Sequence, residues 1–253
     1  MIDSHVHLNH PEFEDDFDAV VQRALDAGVT RMVNIGFDVD SSRETAALVE
    51  KYPFLDGAVG VHPHDAKTYN AEAEKGLADL LGRPGILAVG EIGLDYYRDL
   101  TPRDRQRDVF RRQIGLAKRM NKPIIIHCRD AFDDVVSVLR EEGPPWRGIF
   151  HAFTGDAEMA GTVLDMGFHI GVGGVVTFRN SGLSQVVAGL PADAIVLETD
   201  CPYLTPAPFR GKRNEPGYLT YVVKKISEAT NRSVDAIMEK TTQNFASAMG
   251  LAS

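Results

Sequence analysis

The chain has 253 residues, of which 43 % are hydrophobic and 25 % are charged, the balance of an ordinary soluble globular protein. No stretch approaches the roughly 18 apolar residues of a membrane-spanning helix, so we expect no membrane partner. The formal net charge of −9 argues against tight non-specific binding of nucleic acid, because proteins that hold a duplex through many phosphates are usually basic.

Apolar, strand-like runs alternate with amphipathic segments from one end of the chain to the other. Strands are predicted over 2–5, 31–35, 57–61, 86–91, 124–127, 148–151, 168–171 and 195–198. Helices are predicted over 13–27, 41–52, 71–81, 102–120, 131–142, 157–166, 183–189, 219–230 and 234–249.

Residues at the helix ends support these boundaries. Gly28 and Gly167 follow predicted helices where a left-handed terminus is favoured. Thr101 and Pro102 predict a capped helix start with proline in the first turn, and Ser233 is a candidate cap for the last helix.

Eight strand–helix units in this length predict a single (β/α)₈ barrel domain over 1–253, an α/β fold with parallel strands and extra C-terminal helices. The alternative is an open doubly wound sheet. It is disfavoured because no GxGxxG motif follows the first strand.

The compartment is predicted from the start of the chain and from its cysteines. No basic segment followed by an apolar core opens the sequence, so no export signal is visible. The two cysteines, Cys128 and Cys201, form no CxxC motif, which favours a reducing cytoplasm over a disulfide scaffold.

A pair of histidines in the first strand is the first functional signal. Alternate side chains of a strand point to the same face, so His5 and His7 project together with Val6 between them. This spacing lets two imidazoles reach one cation, although an HxH pair is also compatible with two ordinary polar residues.

Other metal-ligand residue types close or nearly close later strands, and the active sites of barrels lie where strands end. The predicted metal ligands are His5, His7, Glu91, His127, His151 and Asp200. Four imidazoles and two carboxylates exceed the needs of one tetrahedral ion, so we expect two divalent ions with Glu91 as their bridge. The oxygen ligands suit Mg²⁺ or Mn²⁺, and the imidazoles suit Zn²⁺ or Mn²⁺.

These residues lie in motifs that resemble the TatD family of metal-dependent deoxyribonucleases, within the amidohydrolase-like superfamily. The matching motifs are DSHVHL at 3–8, VGVHPH at 59–64, VGEIGLDYYRD at 89–99, KPIIIHCRDA at 122–131, FHAFTGD at 150–156 and LETDCPYLTPAPFRGKRNEP at 197–216. The resemblance implies a binuclear phosphodiester hydrolase. It implies one ion held by His5, His7, Glu91 and Asp200, and another held by Glu91, His127 and His151.

The catalytic candidates are Asp200, Glu91 and His62. Asp200 can ligate a metal and accept a proton from the attacking water. His62 could bind a phosphate or orient a ligand, and a structural turn histidine is the alternative. Asp95 could fix the tautomer of a ligating imidazole.

Cations after the strands predict substrate contacts, since guanidinium groups bind phosphate through paired hydrogen bonds. The candidates are Arg129, Arg210, Lys212 and Arg213. A solvated surface loop is the alternative for the last three. Tyr96, Tyr97 and Tyr203 could stack a base, or they could pack in the core or at the rim.

The leading functional hypothesis is a nuclease that cleaves DNA at single strands or ends, with nucleic acid as a transient substrate and no obligate protein partner. A hydrolase of an ester or amide, such as an aminoacyl-tRNA deacylase, is the alternative. A non-catalytic metal-binding protein is disfavoured because no expected ligand is missing.

Overall fold

A computed structural model describes residues 1–251 of the chain. The strands are β1 Ile2–Val6, β2 Arg31–Ile35, β3 Leu55–Val59, β4 Ile86–Asp95, β5 Ile124–Arg129, β6 Gly148–Phe150, β7 His169–Val172 and β8 Ile195–Leu197. The helices are α1 Phe17–Asp26, α2 Val39–Lys51, α3 Ala71–Leu81, α4 Arg103–Arg119, α5 Phe132–Glu142, α6 Ala157–Asp165, α7 Leu183–Gly189, α8 Leu219–Thr230 and α9 Val234–Met249.

The order of the strands in the sheet follows their order in the chain, and each strand is followed by a helix. This confirms the predicted (β/α)₈ fold with an additional C-terminal helix, α9. Within residues 1–251, no helix combines the length and apolar character that crossing a membrane requires.

The chain divides into two compact units. The first unit comprises 1–33 together with the chain from residue 151 onwards, and the second unit comprises 34–150. A single domain over 1–253 stays a prediction, and each unit is described by itself.

The core of the second unit is built on β3, β4, β5 and β6. The registers of β3 with β4, of β4 with β5 and of β5 with β6 are parallel. Ile124, Ile125 and Ile126 are all buried, as expected for a parallel strand that is covered on both faces.

Two buried glutamines of α4 tie the helix to strand-end segments of the same unit. The Gln113 amide accepts from the Val61 N–H at 2.8 Å and donates to the Val61 carbonyl at 2.9 Å. The Gln106 amide accepts from the Asp95 N–H at 2.9 Å and donates to its carbonyl at 3.1 Å. The glutamines therefore fix the backbone beside His62 and at the end of β4.

We expect Gln113→Leu to lower the free energy of unfolding by about 2–4 kcal/mol, because the buried N–H and carbonyl of Val61 each lose a partner. Urea denaturation followed by circular dichroism measures this change. Gln243→Leu, at an exposed position of α9, is the matched control and should have almost no effect. Equal unfolding midpoints for the two variants would contradict the proposed role of Gln113.

Several predicted helix ends are confirmed. The Ser233 side chain accepts from the Ala236 N–H at 3.2 Å, and Gly28 and Gly167 have φ of +84° and +91°. The cap predicted at Thr101 is wrong, because its hydroxyl donates to the His64 carbonyl at 2.7 Å instead. The first helix is also shorter than predicted, since a separate 3₁₀ turn, Pro11–Phe13, precedes α1.

Candidate metal centre

In the first unit, two imidazoles and a carboxylate converge beside the end of β1. The Nε2 atoms of His5 and His7 are 3.2 Å apart. The Oδ1 atom of Asp200 lies 3.6 Å from the Nε2 atom of His5 and 3.5 Å from that of His7. All three side chains are buried.

The backbone after β8 brings Asp200 to this position. The Asp200 N–H donates to the His5 carbonyl at 2.9 Å, and the His7 N–H donates to the Cys201 carbonyl at 2.9 Å. Asp200 itself has a φ of +58°, in the left-handed region that aspartate tolerates better than most residues. The turn at Asp200 thus aligns its carboxylate with the two histidines of the HxH motif.

The spacing of these atoms fits a shared metal ion. Imidazole and carboxylate ligands lie about 2.0–2.2 Å from an ion such as Zn²⁺, which places two tetrahedral ligands about 3.4 Å apart. The three separations observed here run from 3.2 to 3.6 Å. His5, His7 and Asp200 can therefore ligate one cation together.

The charge state of Asp200 suits ligation. Burial alone would raise the pKa of its carboxyl, but the hydrogen bond from His7 and the nearby imidazoles of His5 and His151 outweigh burial and lower the pKa. The carboxylate is consequently ionised at neutral pH, the form that binds a metal.

His151 and Glu198 extend this group within the first unit. The His151 ring stacks on the His5 ring, with centroids 3.9 Å apart and planes 11° apart. The Nδ1 atom of His151 lies 3.9 Å from Oε1 of Glu198, which also accepts from the Ala152 N–H. Burial raises the pKa of Glu198 to about 8. His5, His151 and Glu198 also have the donor types and spacing of a cation site.

The second unit carries a cluster of its own around Glu91. The Nδ1 atom of His127 lies 2.7 Å from Oε1 of Glu91, and the Nε2 atom of His62 lies 3.6 Å from the same oxygen. The rings of His62 and His127 meet edge to face, with centroids 4.4 Å apart. These three residues also have the donor types and spacing of a cation site.

Asp95 orients the ring of His127. Its Oδ2 atom lies 3.0 Å from Nε2 of His127 and 3.0 Å from Nε2 of His64. Burial would raise the pKa of Asp95, but hydrogen bonds from His127, His64 and the Arg98 N–H outweigh it and hold the pKa well below its usual range. With Nε2 of His127 donating to this carboxylate, Nδ1 is the ring atom left to ligate.

Glu91 does not end its strand, contrary to the prediction. β4 continues to Asp95, and Glu91 lies at an irregularity where the register with β5 shifts between Val89 and Ile92. Its N–H donates to the Gly36 carbonyl at 3.2 Å. The carboxylate is therefore presented from within a buried strand.

The profile of the family described as "TatD related DNase" matches residues 2–250. The chain belongs to this family. The resemblance inferred from the motifs is confirmed, and the chain is a metal-dependent hydrolase.

Two named relatives and a solved structure support this family membership. The chain is 44 % identical over 246 residues to the "Uncharacterized metal-dependent hydrolase YabD" of Bacillus subtilis strain 168, covering 96 % of each chain. It is 36 % identical to the "3'-5' ssDNA/RNA exonuclease TatD" of Rahnella sp. strain Y9602, over 90 % of this chain and 89 % of that one. The crystal structure of the TatD homologue YJJV from Escherichia coli K12 superposes with a TM-score of 0.94 at 32 % identity, covering 100 % of this chain and 98 % of that chain.

The cations predicted to bind substrate in this TatD-family chain have different surroundings. The exposed Arg129 stacks over the Tyr97 ring, 3.8 Å from its centroid, and the exposed Arg210 lies 4.1 Å from the centroid of Phe178. Neither cation has an ion-pair partner within residues 1–251. Both guanidinium groups keep hydrogen-bond donors for a phosphate.

Lys212 and Arg213 have different surroundings from each other. Lys212 is exposed. Arg213 is half-buried and binds both carboxylate oxygens of Asp16, at 2.8 and 2.7 Å, and this hydrogen bonding lowers the pKa of Asp16. Arg213 therefore anchors the loop through Asp16, and the substrate roles of Arg210, Lys212 and Arg213 stay predictions.

Some residues that shape the site carry no clear sequence signal. The glutamines of α4 look like ordinary helix residues, and nothing local indicates that Gln106 and Gln113 hold strand ends. His64 has no sequence signal beyond its place in the motif at 59–64, although its contact with Asp95 makes it part of the second-unit cluster. Only a three-dimensional structure reveals these contacts.

Proposed function

We propose that this TatD-family chain is a metal-dependent nuclease that removes nucleotides from single strands or free ends of DNA. Two buried histidine–carboxylate clusters, one in each unit, are the observation that carries the proposal. A relative named as an exonuclease on single-stranded DNA and RNA supports the substrate class. The alternative, a hydrolase of an ester or amide, is not favoured by any of these relatives.

The proposal places one divalent ion at each cluster. His5, His7 and Asp200 would hold the first ion, and Glu91 and His127 the second. Glu91 as a bridging ligand and His151 as a ligand of the second ion remain predictions from the family resemblance. When bound, divalent ions would lower the pKa of the attacking water and neutralise charge on the phosphoryl group.

The protein's own groups have distinct roles in this proposal. Asp200 accepts the proton of the attacking water, since its carboxylate is ionised and adjacent to the ligating imidazoles. The Nδ1 atom of His62 accepts from the His64 N–H at 3.1 Å. Nε2 of a neutral His62 therefore carries the ring proton, which suits it to donate to a phosphate oxygen.

A metal titration tests the function. Metal-stripped protein is supplied with Mg²⁺, Mn²⁺ or Zn²⁺ and assayed on single-stranded DNA, on an abasic duplex and on an aminoacyl ester. We expect at least one metal to restore release of nucleotides from single-stranded DNA. Restored hydrolysis of the ester alone would contradict the nuclease and favour the carbonyl substrate.

The exposed cations after β8 lead to a further prediction. Arg210→Ala and Lys212→Ala should each raise KM for single-stranded DNA more than they lower kcat, because contacts to the backbone are made equally in the ground and transition states. The increase in KM should shrink as salt rises, since screening weakens exposed charge contacts. Lys224→Ala, an exposed cation of α8, is the control. If KM at low salt is unchanged in both loop variants, the loop does not contact the substrate.

A further inference from the structure

A cavity of about 340 Å³ opens in the second unit at the amino ends of β5 and β6. Its polar walls are Lys118, Asn121 and Lys122 at the end of α4, with Trp146 and Arg147 before β6. Pockets that hold small molecules measure roughly 300–1,000 Å³. The candidate metal ligand of β5 lies towards the opposite end of that strand, so this cavity is distinct from the Glu91 cluster.

The three cations of this cavity meet only neutral acceptors. Lys118 donates to the Glu142 carbonyl, and Lys122 donates to the Ile86 carbonyl at 2.5 Å. Arg147 donates to the backbone and side-chain oxygens of Asn121, at 3.1 and 3.0 Å. Within residues 1–251, no carboxylate lies within ion-pair distance of these three cations.

Other cations of the same helix are neutralised. Arg107 pairs with Asp134 at 2.9 Å, and Arg112 and Arg119 pair with the two oxygens of Glu74 at 2.9 and 2.6 Å. The chain as a whole carries an excess of acidic residues, with a net charge of −9. The three cations around this cavity thus lack, in the described part of the chain, the carboxylate partners that the other cations of the helix have. An anionic ligand would neutralise their charge.

Lys122 and Trp146 add to the complementarity. Burial lowers the pKa of Lys122, because a half-buried ammonium is partly desolvated, and its hydrogen-bond partner is a neutral carbonyl. A bound anion would offset this desolvation. The half-buried indole of Trp146 supplies a flat apolar wall, over which the Lys118 ammonium lies 4.8 Å from the ring centroid.

We propose that this cavity binds a nucleoside monophosphate, with its phosphate on Lys118, Lys122 and Arg147 and its base against Trp146. The guanidinium of Arg147 suits paired hydrogen bonds to phosphate oxygens, and the two lysines add point charges. A base stacks on an aromatic ring without needing a particular hydrogen-bond pattern. The site goes beyond the proposed function and does not depend on it.

The sequence supplies a direct reporter, because Trp146 is the only tryptophan in the chain. AMP is titrated into the full-length protein while tryptophan fluorescence is followed, with adenosine and inorganic phosphate as separate probes. We expect a saturable change with AMP at a lower midpoint than with either fragment. Lys122→Met and Arg147→Ala should each raise the AMP midpoint by about 10-fold, the scale of one charge-assisted contact.

Arg119→Ala is the matched control, since Arg119 lies on the same helix but pairs with Glu74. It should leave the AMP midpoint unchanged, and thermal melting should show all three variants folded. Equal midpoints for AMP and inorganic phosphate would overturn the stacking on Trp146. The absence of a saturable change, or midpoints unchanged in both cavity variants, would overturn the site itself.

Discussion

Asp200→Asn should lower the rate of DNA hydrolysis by about 100-fold or more, the usual scale for a lost acid–base group. Asparagine keeps the size of the side chain and one oxygen that can ligate, but it removes the charge and the proton acceptor. Bound metal should therefore be partly retained while the chemical step fails. Single-turnover kinetics on single-stranded DNA, with metal analysis of the same samples, measure both quantities.

The control for this variant is Asp193→Asn, at an exposed aspartate shortly before β8. It should hydrolyse DNA at the rate of the unmodified chain. If Asp200→Asn also keeps that rate with full metal occupancy, the proton acceptor is another group and the general-base assignment is wrong. The carbonyl-hydrolase alternative predicts the same loss, so this experiment tests mechanism and the metal titration tests substrate.

The strands and helices were predictable because their signals are local. The apolar run Ile124-Ile125-Ile126 and the alternation around His5 depend only on neighbouring residues, and both segments form strands as expected. The predicted strand at 86–91 ended too early, because β4 continues through Gly93 to Asp95. Glycine is a weak strand former by sequence. A Cβ at Gly93 would lie only 1.9 Å from the His127 carbonyl oxygen, so the close approach of β4 and β5 requires glycine there.

Errors arose where a side chain has a partner distant in sequence. Thr101 resembles a helix cap, but its hydroxyl bonds a carbonyl 37 residues away. The ion pair of Arg213 with Asp16, 197 residues away, likewise has no signal in the sequence, and the substrate role of Arg213 stays a prediction. Such pairings depend on the folded chain, whereas the HxH motif and the residues around Asp200 show their chemistry in the sequence itself.

His127→Ala should remove one equivalent of tightly bound metal from the protein and lower the rate of DNA hydrolysis by about 100-fold or more, since the proposed mechanism needs the second ion for the chemical step. The side chain of His127 is only slightly exposed and donates to the buried Asp95, so its truncation should lower the thermal melting temperature modestly while the protein stays folded. Metal content after dialysis, melting by circular dichroism and single-turnover rates measure the three effects.

Asp95→Asn should weaken metal binding less than His127→Ala does. It leaves every proposed ligand in place but weakens the acceptor that orients His127, 3.0 Å away. Metal affinity should fall by about 10- to 100-fold without loss of the site, as is usual when the partner of a ligating histidine is changed. His10→Ala, at a histidine outside both clusters that caps the turn at Glu12, should change neither metal content nor rate. If His127→Ala retains as much metal as His10→Ala, His127 is not a ligand, and its contacts with Glu91 and Asp95 serve the fold alone.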